Sequence, residues 1–224
     1  MPRKKLIRSE VLPYHVTARG NNREFFPGDH AYVWRLFNWQ LAEVSEKFGA
    51  KIHAFVLMPN HFHLLLSTPT RDLGVIMQCL MRSVTKTLNV KTGRSGRIFG
   101  ARYNGSIITT SNYFDIALKY VYRNPVKAKL VSDCESYEFS TLQNIFGNLK
   151  LPYELRPPFE EHLLIPNNQP YEFLDWLNQP FQTENERDIR DGILKTTFSP
   201  RRRGWKKFEK SVKEEKFNAI TYNK

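Results

Sequence analysis

The chain predicts an α+β fold: a ferredoxin-like antiparallel sheet with helices on one face, followed by an additional tyrosine-bearing helix and a C-terminal extension. Three observations predict it. Strand-like and helix-like patterns alternate over residues 12–109 in the order strand, helix, strand, strand, helix, strand. Two apolar runs meet at the tight turn Pro59-Asn60. Glycines stand just beyond both helical repeats, at Gly49 and Gly93, where a left-handed residue closes a helix with least strain.

Each element follows from its own pattern. Residues 12–19 read as a strand closed by the turn signal Gly20-Asn21-Asn22. Over residues 29–48, Val33, Phe37, Leu41, Val44 and Phe48 recur at helical spacing. Residues 51–58 and 61–67 form the next two strands. A second amphipathic helix opens at Asp72 as N-cap and puts Leu73, Ile76, Met77, Leu80, Val84 and Leu88 on one face. Residues 97–109 read as the fourth strand, interrupted by Gly100 and Gly105. A third helix over residues 111–124 is expected to stop at Asn124, because Pro125 disfavours helical geometry in the residue before it. The two sheet helices share one face and leave the other available.

Inside the central hairpin lies the run Met58-Pro59-Asn60-His61-Phe62-His63-Leu64-Leu65-Leu66. Alternate strand residues share a face, so His61 and His63 project side by side while Phe62, Leu64 and Leu66 point away. That is a metal clamp in outline, although a histidine in an apolar strand is commonly a satisfied core residue. A two-residue turn would set His61 opposite Met58 and His63 opposite Val56, with His53 on the other face. His53 and His15 then read as structural. On the third helix, Tyr113, Ala117, Tyr120 and Asn124 form one stripe, which reads equally as packing or as chemistry.

Composition points to a polyanionic partner. The 224 residues hold 34 Lys and Arg against 22 Asp and Glu, for a net charge of +12. Such a balance suits nucleic acid. No apolar run approaches the roughly 18 residues of a membrane span, and the N-terminus lacks an apolar signal core. A cytoplasmic, nucleoid-associated protein without a membrane partner is expected. Cys79 and Cys134 form no paired motif, so neither a disulfide framework nor a thiolate metal site is indicated.

The domain expectation has three parts. Residues 1–11 form a basic arm, residues 12–147 the main domain, and residues 148–224 a proline-containing linker and partly helical basic tail. Thr183 and Glu186 suit a capping box ahead of Ile189, Ile193 and Leu194.

Four segments together resemble a known family. Tyr14-His15-Val16-Thr17-Ala18-Arg19-Gly20-Asn21-Asn22, the His61/His63 run, Arg102-Tyr103 and Tyr120-Val121-Tyr122-Arg123-Asn124-Pro125-Val126-Lys127-Ala128 resemble, in order, the single-tyrosine HUH transposases. The REP-associated tyrosine transposases are the branch they match best. Glu138-Phe139-Ser140-Thr141-Leu142 stands where that branch has a Trp-Ser-Ser-Tyr segment, with Phe139 and Leu142 departing from it.

The resemblance implies a transposase that cleaves and rejoins single-stranded DNA beside REP-like hairpins through a 5′-phosphotyrosine. It implies Tyr120 as nucleophile, and His61, His63 and Asn124 as ligands of a divalent Mg²⁺ or Mn²⁺. Tyr122, two residues on, is rotated by about 200° and faces elsewhere. Monomer and homodimer both occur among such proteins. A catalytically silent hairpin-binding regulator is the alternative; a phosphoesterase of the two-motif type is disfavoured, since only one paired-histidine segment is present.

Single-strand binders join basic grooves to aromatic platforms. The expected DNA contacts are Arg3, Lys4, Lys5 and Arg8 of the arm, Arg19 and Arg23 of the first turn, Arg102, and Arg201, Arg202 and Arg203 of the tail, where Trp205 and Phe208 interleave. Arg82, Lys86 and Arg97 are further basic positions that read equally as solvated charge.

Overall fold

The computed structural model describes residues 7–158, 170–181 and 183–198. Its five-stranded sheet runs β2-β3-β1-β4-β5, from β1 (Tyr14–Arg19), β2 (Lys51–Met58), β3 (His61–Ser67), β4 (Asn104–Ile108) and β5 (Thr197–Phe198). The first four strands pair antiparallel in the expected ferredoxin-like order, and β5 joins β4 in parallel.

One face carries α1 (His30–Phe48) and α2 (Leu73–Thr92). Phe37, Leu41, Ile76 and Leu80 meet Val16, Phe55, Leu57, Phe62 and Leu64 there, all fully buried. Each such side chain contributes about 1.5–3 kcal/mol by leaving water. Asp29 caps α1 by accepting from Tyr32 N at 2.9 Å, whereas Asp72 makes no side-chain cap and pairs with Arg8 at 3.0 Å. Gly49 and Gly93 close the two helices with φ of 61° and 64°, the conformation expected of them.

The opposite face is covered rather than open. Helix α3 (Ser111–Lys127) packs Phe114, Ala117, Leu118 and Val121 against Ala54, Val56, Met58 and Leu65. After the short α4 (Leu142–Ile145), α5 (Pro170–Asn178) and α6 (Thr183–Ile193) add Phe173, Leu177, Ile189 and Ile193 to the same cluster. Leu194 is 52% exposed and stays outside that cluster. The Thr183 side chain, half of the expected capping box, lies outside the described residues.

Helix α3 does not stop at Asn124. Pro125 sits inside its last turn, where only the bond to the Val121 carbonyl is forgone. The helix closes instead at Lys129, whose φ is 58°, with Leu130 N donating to Pro125 O at 3.0 Å and Lys129 N to Val126 O at 2.9 Å. Paired bonds of that span satisfy the last carbonyls.

The fourth strand is also shorter than expected. Residues 97–103 run as a strap beside the first turn, with Asn21 N donating to Ile98 O at 2.8 Å and Gly100 N to Arg19 O at 3.1 Å. A Cβ on Gly100 would stand 3.2 Å from Asn21 Cα, so the strap needs the missing side chain.

The β2 edge is sealed by residues 137–156. Leu57 N donates to Phe139 O, Thr141 N to Phe55 O and Arg156 N to Ile52 O, which leaves no long bare edge there. Register shifts between Ile52 and Ala54. This bulge puts two consecutive side chains on one side, so His53 faces α3 instead of the opposite layer. It packs edge-on to Phe114 and bonds Ser67 Oγ at 2.8 Å and Arg156 O at 2.6 Å.

Candidate active site

Pairing of β1 with β3 assembles the site. His61 faces Arg19 across the ladder and His63 faces Thr17, with both imidazoles on the α3 side. Their ring centroids are 5.1 Å apart. The β2–β3 turn is stapled in place: Gly20 N donates to Asn60 O at 2.7 Å and Phe26 N to Pro59 O at 2.8 Å. A Cβ on Gly20 would stand 2.4 Å from Glu24 O, so only glycine fits that crossing.

Hydrogen bonds orient the first imidazole. His61 Nδ1 lies 2.7 Å from Asn60 Oδ1, and Asn60 Nδ2 donates to Arg23 O at 2.9 Å. Because that amide nitrogen is committed to a carbonyl, Oδ1 must accept, and His61 carries its proton on Nδ1. Its Nε2 lone pair is free. His63 Nδ1 is 2.9 Å from Nε2 of His15, a residue read from sequence as merely structural.

Burial, then the Arg19 charge, draws His61 down to about 4; burial, then His15, His61 and Arg19, hold His63 well below the usual range. Both rings are neutral at physiological pH, the form that ligates a cation.

Tyr120 meets this pair from α3. Its ring stands edge-on to His63 at 5.6 Å and to His15 at 6.3 Å. Burial raises its phenol; Arg190 pulls it down, Glu186 raises it, and a hydrogen bond from Asn124 and the Arg19 charge lower it. Asn124 Nδ2 donates to Tyr120 O at 2.7 Å, so its Oδ1 is the end left uncommitted. Tyr122 points elsewhere, 1% exposed, its hydroxyl 3.2 Å from Thr141 Oγ1.

The extension steadies that helix. Lys119, drawn down to about 8 by burial and then by Arg123, holds its ammonium over the Trp176 and Phe181 rings at 4.9 and 5.2 Å. Lys127 pairs with Glu186 at 3.2 Å. Arg190 and Glu186 act on the Tyr120 phenol through their charges, from a segment whose sequence carried no sign of it.

The remaining basic positions divide. A long groove along α2 is lined by Arg8, Arg71, Arg82, Lys86, Arg97 and Arg102, against Glu10 and Asp72. Arg102 lies over the Tyr103 ring at 5.2 Å. Arg23 adopts φ of 60° beside Asn60. Arg3, Lys4, Lys5, Arg201, Arg202, Arg203, Trp205 and Phe208 lie outside the described residues. No described helix is long and apolar enough to cross a membrane.

A solved structure of similar fold agrees with this architecture. A REP-associated tyrosine transposase solved bound to a REP hairpin superposes with a TM-score of 0.56 at 19% identity, over 75% of this chain and 96% of that one. A candidate transposase from Deinococcus radiodurans R1 aligns with a TM-score of 0.38 at 18% identity, over 55% and 97%. No curated protein sequence matches the chain. The family described as Transposase IS200 like matches residues 9–124, more than half of the length. The chain belongs to the family of IS200-like transposases, a class of DNA-cleaving enzymes.

Proposed function

We propose that the protein cleaves and rejoins single-stranded DNA beside a hairpin, with Tyr120 as nucleophile and a divalent Mg²⁺ or Mn²⁺ held by His61, His63 and Asn124. The edge contact of Tyr120 with His63 carries this reading. The donor set fits such an ion. Two neutral imidazoles share one face, and Asn124 has an uncommitted amide oxygen, a hard donor suited to either metal. Among the described residues no three His, Cys, Asp or Glu are placed to hold a metal ion together, and the Asn124 amide is the third ligand in this reading. When bound, the ion supplies Lewis-acid polarisation of a non-bridging phosphate oxygen.

The chain's own groups do the rest. Tyr120 Oη attacks the phosphorus and loses its proton; the bond from phosphorus to the 3′-oxygen breaks, and that oxygen takes up a proton. A 5′-phosphotyrosine and a free 3′-hydroxyl result, so the reverse step reseals DNA without ATP. A phenol with an ordinary pKa of about 10 needs help to ionise at neutral pH. Arg19, Arg190 and Asn124 favour the phenolate and oppose the cost of burial. The basic groove beside α2 suits the hairpin phosphates, as its charge suggests and as the hairpin-bound relative of similar fold encourages.

The test is a covalent adduct between the full chain and single-stranded hairpin DNA carrying a 3′ or 5′ flank, in Mn²⁺. Wild-type protein forms it and Tyr120→Phe does not. An adduct with the Phe variant rejects the nucleophile; binding without any adduct supports the silent regulator instead.

A further inference from the structure

Resting on the reading of His61 and His63 as ligands, we propose that His15 is a positioning residue, whose Nε2 accepts the Nδ1 proton of His63 and so presents the His63 Nε2 lone pair before the metal arrives. The two nitrogens are 2.9 Å apart, with the ring centroids at 5.1 Å and 30° between their planes, so the rings lie end to end as an in-plane hydrogen bond requires. One nitrogen of the pair must donate and the other accept. If His63 Nδ1 accepted, its proton would sit on Nε2, the atom needed for ligation. Only the arrangement with His15 accepting leaves both ligand imidazoles alike, since Asn60 imposes the same tautomer on His61. A ligating histidine whose other nitrogen is held by a defined acceptor is the usual device for fixing ring orientation and basicity.

Placement in the fold supports a dedicated role. His15 is fully buried in β1, diagonal to His63 across the ladder, and touches Tyr120 edge-on at 6.3 Å. Its own Nδ1 then carries a proton, and that atom is buried without a partner. Directly across β4 stands Ser106, whose hydroxyl is likewise buried and unpartnered. Opposed residues share a face of the sheet, so an orphan donor and a group able to accept occupy one rung. A leucine or valine at position 15 would fill the core without any such orphan, so a polar ring here calls for a reason beyond packing.

The test separates positioning from packing. Mn²⁺ is titrated calorimetrically into the full chain without DNA, comparing wild type, His15→Gln and His15→Met. The glutamine places an oxygen near the former Nε2; the methionine keeps bulk but offers no comparable acceptor. His15→Met weakens Mn²⁺ binding by about tenfold or more, His15→Gln stays within about threefold of wild type, and the two melt alike. Methionine at wild-type affinity overturns the proposal. Nitrogen shifts of His63 in the metal-free wild type read the tautomer directly and require no variant to fold: protonated Nδ1 with bare Nε2 is expected, and the reverse overturns it. Loss of Mn²⁺ binding in His63→Ala without loss in His15→Met rejects His15 alone. Retention in His63→Ala rejects the ligand reading, and the His15 proposal with it.

Discussion

The Tyr120 ring meets His63 edge-on at 5.6 Å within one chain. The proposed nucleophile and the proposed ligand thus come from the same subunit in this structure. Mixing inactive Tyr120→Phe with inactive His63→Ala protein should leave hairpin cleavage undetectable. Recovered cleavage would show that the tyrosine serves a partner's site and that the chain works as an exchanged dimer.

His61 and His63 differ in burial, and their removal should be felt differently. His61 is half-buried at the strand start, whereas His63 is 4% exposed between His15 and Tyr120. Both alanine variants should lose cleavage by at least about a hundredfold while binding the hairpin near wild-type affinity. His63→Ala should also lower thermal stability by about 1–3 kcal/mol, because it strands a buried nitrogen of His15. Loss of hairpin binding in both variants would make the pair structural.

The groove beside α2 should dominate the salt dependence of binding. Replacing Arg97 and Arg102 together by alanine should weaken binding to all hairpins alike and flatten the plot of log affinity against log salt by about one unit for each phosphate no longer neutralised. An unchanged slope would place the DNA elsewhere on the surface.

Buried tyrosines predict cooperative alkaline unfolding. Burial raises Tyr122 and Tyr137 well above the ordinary phenol and does the same for Tyr153, which donates to Asn38 Oδ1 at 2.6 Å. A folded pKa above the unfolded one stabilises the fold below the unfolded value, about 10, and that stability is lost as pH rises toward the folded value. Absorbance titration should show the phenolates of Tyr122, Tyr137 and Tyr153 appearing together, on unfolding. Independent, reversible ionisation of all ten tyrosines near pH 10 would contradict this.

Periodicity and turn chemistry carry information over a few residues, and there the sequence was legible. The β2–β3 hairpin, its Met58 to His61 register and the glycine stops of α1 and α2 all follow from local rules. Pro125 shows how such a rule yields. In the last turn a proline forfeits only one backbone bond, and the paired closure at Lys129 extends α3 beyond it. His53 shows the same at strand level. Parity assigned it to the wrong layer because a bulge, set by pairing with β3, resets the alternation.

The sequence by itself determined the order of elements, the shared face of His61 and His63, and the stripe of α3 bearing Tyr120 and Asn124. Periods of 2 and 3.6 residues dictate such relations within one element. The tertiary structure alone decided that His15 bonds His63, that Arg19 stands across from His61, and that Arg190 and Glu186 of α6 act on the Tyr120 phenol through their charges. Those relations join residues tens of positions apart. Their geometry is set by strand register and helix docking, which no local pattern encodes.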